Sequence, residues 1–231
     1  MNLPEKYFVI DFENTGGSLW YGHKITAYGI CIVEKCGGVF KISETYRNYV
    51  NPGREIPRFI EELIGIKTEE VNIPEYLSIE DEFEKIEKIL TKDMIFTAHC
   101  VGVDYDMFNY LYYQKYGRHL EILGIDTCQF AKNIIGLKKC GIAAISEYYN
   151  FDCGKHHEPE FDAYVAAQVL IKSIELACSE QKLREVFLKS IKKLPLRAHI
   201  KHAERKNKKE NAAAEQTVAE DKLKEDRICL K

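Results

Sequence analysis

Apolar residues in the first fifty positions fall into short runs: "YFVIDF" (7–12), "KITAYGICIVE" (24–34) and "GVFKISETYRNYV" (38–50). Runs of this length, rich in β-branched and aromatic residues, predict strands. The glycine turns "NTGG" and "CGG" that join them predict an antiparallel meander. "NPGREIP" closes it, because two prolines and a glycine have no place inside a strand. The period then changes. Phe83, Ile86, Ile89 and Leu90 recur at three- and four-residue steps in "SIEDEFEKIEKIL", as an amphipathic helix requires. Beyond it, apolar strands ("MIFTAH", "LEILGIDT") alternate with helices ("DYDMFNYLYYQKY", "GIAAISEYYN", "DAYVAAQVLIKSIELAC"). A meander followed by alternating strand and helix predicts an α/β fold, a mixed sheet with helices packed on it.

The 231 residues, 45% of them apolar, fit one sizeable domain. No window is apolar enough for a membrane span and no secretory leader is visible, so a cytoplasmic protein without a membrane partner is expected. The eight cysteines are scattered without a Cys-x-x-Cys pair, so reduced thiols are expected. Cys153 with His156 and His157 has metal-like spacing but lacks a second pair of ligands. The net charge of −3 is uneven: from Ser179 onward there are fifteen Lys and Arg against nine Asp and Glu. Domain boundaries are expected at 1–191 for the folded body and 192–231 for a basic tail. The tail is either a solvated segment, helical or disordered, or a docking element for a polymerase or nucleic acid.

Asp11 and Glu13 sit two apart at the end of the first run, so a strand puts both on one face. They either face water or hold cations that offset their repulsion. Asp104 and Asp162 each open a helix, where an aspartate is either a plain cap or something more. Asp106, two residues from Asp104 on a helix, faces elsewhere and is excluded.

Asp-x-Glu on a first strand, "AHCVGVD" at a strand-to-helix junction and "HEPEFDA" opening a late helix together resemble the DnaQ-like DEDDh 3′-5′ exonucleases. "ENTGG" is similar to that family's E-T-T-G. "VNPGREIPRFIEELIGIKTEEV" is similar to its N-P…I-P…G-I-T segment, and "DTCQFAK" to its D-T-L-x-L-A. The likeness runs from about Tyr7 to Cys178. It implies a ribonuclease H-like three-layer fold with a five-stranded sheet, three strands antiparallel and then two parallel. It also implies that Asp11, Glu13, Asp104 and Asp162 hold two divalent ions, Mg2+ or Mn2+. His157, five residues before Asp162, is then the general base; its neighbour His156 is the competing assignment. The implied reaction is phosphodiester hydrolysis that releases nucleoside 5′-monophosphates.

The chain departs from the family pattern at Asn14, Cys100, Val103 and Pro159, none of which removes a ligand. Substrate contacts are expected from the turn formed by Asn14, Thr15, Gly16 and Gly17, and from Phe12 and Phe161. Strand alternation argues for Phe12 in the core, and Trp20 either stacks on nucleic acid or covers the sheet. The tyrosines of 105–116 either line a groove or fill the core. The expected partner is a single-stranded or frayed 3′ end of DNA, in proofreading or repair. RNA trimming is the alternative, and a non-catalytic module of the same fold is the competing class.

Overall fold

A computed structural model describes residues 2–151, 159–197 and 200. The chain divides into two compact units after Pro195, and the first carries every element named below.

Strands β1 (Lys6–Asn14), β2 (Ile25–Cys36) and β3 (Val39–Tyr49) form the expected antiparallel meander. Gly37 and Gly38, both at positive φ (60° and 88°), make the two-residue turn between β2 and β3. That backbone follows the twist of the flanking strands and costs glycine little. Helices α1 (Arg58–Ile64), α2 (Thr68–Val71) and α3 (Ile79–Ile89) come next. β4 (Ile95–Ala98) leads into α4 (Gly102–Tyr116), and β5 (Leu123–Asp126) into α5 (Thr127–Phe130) and a π-helical turn, Ala131–Ile135. The first unit ends with α6 (Ile142–Tyr149), α7 (Pro159–Ser179), α8 (Gln181–Ser190) and β6 (Lys192–Lys193).

The sheet has six strands in the order β3-β2-β1-β4-β5-β6, not the expected five. β1 to β5 follow the anticipated pattern, with β4 and β5 parallel to β1. The sixth, β6, is two lysines that pair antiparallel with Leu123 and Gly124. Residues this short and charged give no periodic signal, and here Leu194 packs on Gly124, where a Cβ would stand 2.6 Å from Leu194 Cδ1.

Each face of the sheet is buried by helices, in a three-layer arrangement. On one face α7 lays Ala163, Ala166, Ala167, Leu170 and Ile174 against Tyr7, Val9, Cys31 and Val33. The alanines let helix and strand approach closely, which brings the start of α7 to the end of β1. On the other face Phe8 and Phe96 meet each other and Phe108 of α4, which in turn meets Phe83 of α3, edge-on or tilted, with ring centroids 5.1–6.0 Å apart. Such pairs add about 0.5–1.5 kcal/mol each beyond their burial. Tyr105, Met107, Phe108 and Leu111 are buried, so the inner side of α4 is core, while Tyr116 is exposed. Trp20 is 5% exposed and packs against Tyr110, Tyr113 and His119, so it covers α4 and has no face for a base. No helix among the described residues is long and apolar enough to cross a membrane.

Candidate active site

Asp11 and Glu13 share the face of β1 that carries Tyr7 and Val9, under the start of α7. Their cross-strand neighbours on β2 are Gly29 and Ala27, side chains too small to cover the carboxylates. Asp162 comes down from the first turn of α7. One carboxylate oxygen each from Asp11, Glu13 and Asp162 lies within 4.8 Å of the others.

Asp104 stands one step back. β1 runs on past its last ladder pair with β4, Val9 with Thr97, so the Phe12 N–H on that side has no strand partner. It donates to Asp104 Oδ1 at 3.0 Å. Asp104 is therefore a buried carboxylate pinned to the strand that carries the other two, and its charge helps raise the pKa of Asp11.

Burial is the main cause of every shift here, and like charge adds to it. Asp11 is held well above the usual carboxylate range by desolvation, then by Asp104 and Asp162. Glu13 is pushed up to about 9 by desolvation, then by Asp11 and Asp162. Asp104 is pushed up to about 8 by desolvation, opposed by the Phe12 amide and reinforced by Glu13 and Asp126. Carboxylates so crowded bind protons tightly unless a cation replaces them. The all-oxygen donor set fits a hard divalent ion. Asp106 is buried elsewhere on α4 and is outside this group.

His157 and His156 lie outside the described residues, as does Cys153. Phe161 is half-buried and packs against Ala131, Ile145, Val165 and Val169. Phe12 turns to the opposite side of β1 and is 6% exposed, as strand alternation requires.

The turn after β1 is knitted together internally. Asn14 Oδ1 accepts from Gly16 N at 2.6 Å and Gly17 N at 2.9 Å, and Thr15 N donates to Lys24 O at 2.9 Å. The amides of Thr15, Gly16 and Gly17 expected to meet a substrate thus donate within the protein. Thr15 is fully buried, and its hydroxyl meets His23 Nδ1 and accepts from Lys24 N. Gly16 has φ 103°, and a Cβ there would stand 2.7 Å from Ile60 Cδ1 of α1. The turn's part is to shape the end of β1. Two apolar side chains near the site stand exposed: Phe59, 68% exposed on the helix that supports this turn, and Val103, 46% exposed beside Asp104. The signal for the first was the 59, 60, 63, 64 apolar spacing of α1.

The exonuclease family model of RNase T type matches residues 8–170. The chain is 29% identical to the DNA polymerase III subunit epsilon of Aquifex aeolicus, over 75% of this chain and 82% of that one. It is 30% identical to the PolC-type DNA polymerase III of Thermotoga maritima, over 74% of this chain but 12% of that one. It spans less than a fifth of each of the first relatives it matches, the 3′-5′ exonuclease DinG of Bacillus subtilis and the PolC-type polymerases. Among solved structures, the nuclease domain of 3′hExo, a DEDDh family member bound to rAMP, superposes with a TM-score of 0.61. The superposition covers 77% of this chain and 95% of that one at 17% identity, a likeness of fold.

Proposed function

Because the chain belongs to the DnaQ-like DEDDh exonuclease family, we propose that this 3′-5′ exonuclease acts on the 3′ end of DNA, releasing nucleoside 5′-monophosphates in proofreading or repair. One observation carries the reading: three acidic side chains from β1 and α7 meet within 4.8 Å, beside a fourth that the strand's own amide holds in place.

Asp11, Glu13, Asp104 and Asp162 would hold two divalent ions, Mg2+ or Mn2+, and His157 would take a proton from the attacking water. Bound ions of this kind supply charge stabilisation for the attacking and departing oxygens and acidify the water. Asp11 and Glu13 would offer their carboxylates from partly exposed positions on β1, and Asp104 and Asp162 from buried ones. An imidazole with a pKa near 6.5 is suited to accept the proton near neutrality. Positive charge from the ions turns an acidic site into one that attracts phosphate, which reconciles the net charge of −3 with a nucleic-acid substrate.

DNA is favoured over RNA by the "NPGREIP…GIKTEEV" segment and by the polymerase III relatives. The nuclease domain runs past the expected boundary at 191 to Pro195, because β6 (Lys192–Lys193) belongs to its sheet, and the basic stretch beyond it offers a docking element for a polymerase. A cytoplasmic location goes with this role. The test is digestion of matched single-stranded DNA and RNA labelled at the 5′ end. Stepwise shortening of DNA in Mg2+ that stops with chelator is expected; a strong preference for RNA overturns the substrate, and indifference to chelator overturns the mechanism.

A further inference from the structure

Three cysteines that look scattered along the sequence come together behind the β4–α4 junction. Cys100 follows β4, Cys128 lies in α5, and Cys140 lies in the loop before α6. One ligating atom each from His99, Cys100 and Cys128 lies within 4.8 Å of the others. Cys140 is not within that distance of all three, but its Sγ is 3.0 Å from Cys128 Sγ, and the three cysteines form no disulfide. The hydrolysis reaction uses none of these groups.

The surroundings are built to hold them. Asp126 Oδ1 accepts from Cys128 N at 2.9 Å and from Cys100 N at 3.2 Å, so one carboxylate oxygen fixes the backbones of two cysteines. Cys100 has φ 63°, a left-handed conformation that few residues other than glycine adopt. His99 Nε2 is 2.6 Å from the Cys140 carbonyl, which only accepts, so Nε2 carries the proton and Nδ1 keeps its lone pair. The Thr127 hydroxyl is 3.0 Å from that Nδ1 and 3.3 Å from Ala98 O, so its proton has a second acceptor when Nδ1 is engaged. An imidazole whose other N–H is fixed by a backbone carbonyl is the usual arrangement of a metal-binding histidine.

We propose that His99, Cys100, Cys128 and Cys140 form a closed, tetrahedral site for a zinc-type divalent ion, separate from the carboxylate centre. Three sulfurs and one imidazole suit a borderline-soft ion and not magnesium. With metal–sulfur bonds of about 2.3 Å, tetrahedral sulfurs stand roughly 3.8 Å apart, so an ion entering the cluster widens the Cys128–Cys140 pair. Four protein ligands leave no open position, so the ion is structural. It ties the loop around Cys140 to the segment that leads from β4 into the helix bearing Asp104.

Cobalt tests this in the full chain. The protein is purified with reductant, stripped with chelator, returned to excess Mg2+ and titrated with Co2+. Binding of one equivalent is expected, with a sulfur-to-cobalt charge-transfer band and the intense visible bands of tetrahedral cobalt, all bleached by one equivalent of Zn2+. The carboxylate centre has no sulfur and cannot give the charge-transfer band. Cys128→Ser with Cys140→Ser should abolish it; Cys36→Ser and Cys178→Ser should not. Should the double variant misfold, alkylation of the wild-type thiols decides instead, and release of one zinc per chain is expected. No charge-transfer band, a band that survives in a folded double variant, or alkylation that releases no zinc overturns the proposal. So does a Cys128–Cys140 disulfide in protein purified without reductant, which would make the pair a redox couple.

Discussion

Two polar clusters lie close to the start of α4 and differ in nearly everything but position. Asp11, Glu13 and Asp162 gather oxygen ligands from the first strand and a late helix. His99, Cys100 and Cys128, with Cys140 beside them, gather sulfur and nitrogen from the ends of β4 and β5. Asp126 stands between: it adds to the raised pKa of Asp104 and fixes the cysteine backbones. Charge separates the two clusters. Carboxylates so close repel when ionised and need cations, whereas neutral thiols can sit together without any. The first arrangement is therefore hard to explain without a metal, and the second needs a direct test.

Changes that silence one cluster should spare the other. The largest effect is expected from Asp162→Ala or Asp104→Ala. Each should lower exonuclease turnover by more than about a hundredfold, since even residues behind a metal ligand typically cost about 10–100-fold. Cobalt binding by the thiols should remain; a variant with nearly full activity would separate the carboxylates from the chemistry. His157→Ala should cost on the order of 10²–10⁴ in kcat with Mn2+ binding kept, and an unchanged rate would move the base to another group. Cys128→Ser should leave the rate at saturating Mg2+ intact and lower stability by roughly 0.5–3 kcal/mol in urea unfolding. A rate that falls with stability unchanged would make the thiols part of the reaction.

A gentler change of pH distinguishes the carboxylates again. Glu13 titrates near 4.5 when unfolded and at about 9 when folded and metal-free, and Asp104 moves from 3.8 to about 8. The folded protein thus binds these protons more tightly, so their contribution to stability is complete at low pH. It is lost as pH rises from the unfolded values to the folded ones. Bound Mg2+ replaces the protons, so the rise in Tm on adding Mg2+ should grow across the window from about pH 5 to 9. A shift that is flat with pH would mean that the acids are not sharing a cation.

Much of this was legible in the sequence, and for local reasons. Spacing put Asp11 and Glu13 on one face of a strand and Asp104 and Asp162 at the starts of helices, but it left water-facing and capping roles open; the resemblance to the exonuclease family joined the four into one site. β1 to β5 were marked by runs of apolar residues. What escaped depends on tertiary packing. Cys100, Cys128 and Cys140 carry no short spacing, and only the parallel pairing of β4 with β5 brings the first two together. Trp20 looked like a loop residue because nothing near it in sequence reveals Tyr110, Tyr113 and His119. The amides of the Asn14–Gly17 turn look available in the sequence, but Asn14's own side chain folds back and takes two of them. Helix α8 had a readable signal, Leu183 and Phe187 four apart, hidden among charges.

Manganese binding tests the central claim most directly, because Mn2+ favours oxygen ligands and is counted by electron paramagnetic resonance. The wild-type chain should hold two ions, and the variant carrying Asp11→Ala and Asp162→Ala should hold neither tightly. The same number of ions bound with the same affinity in both proteins would contradict it.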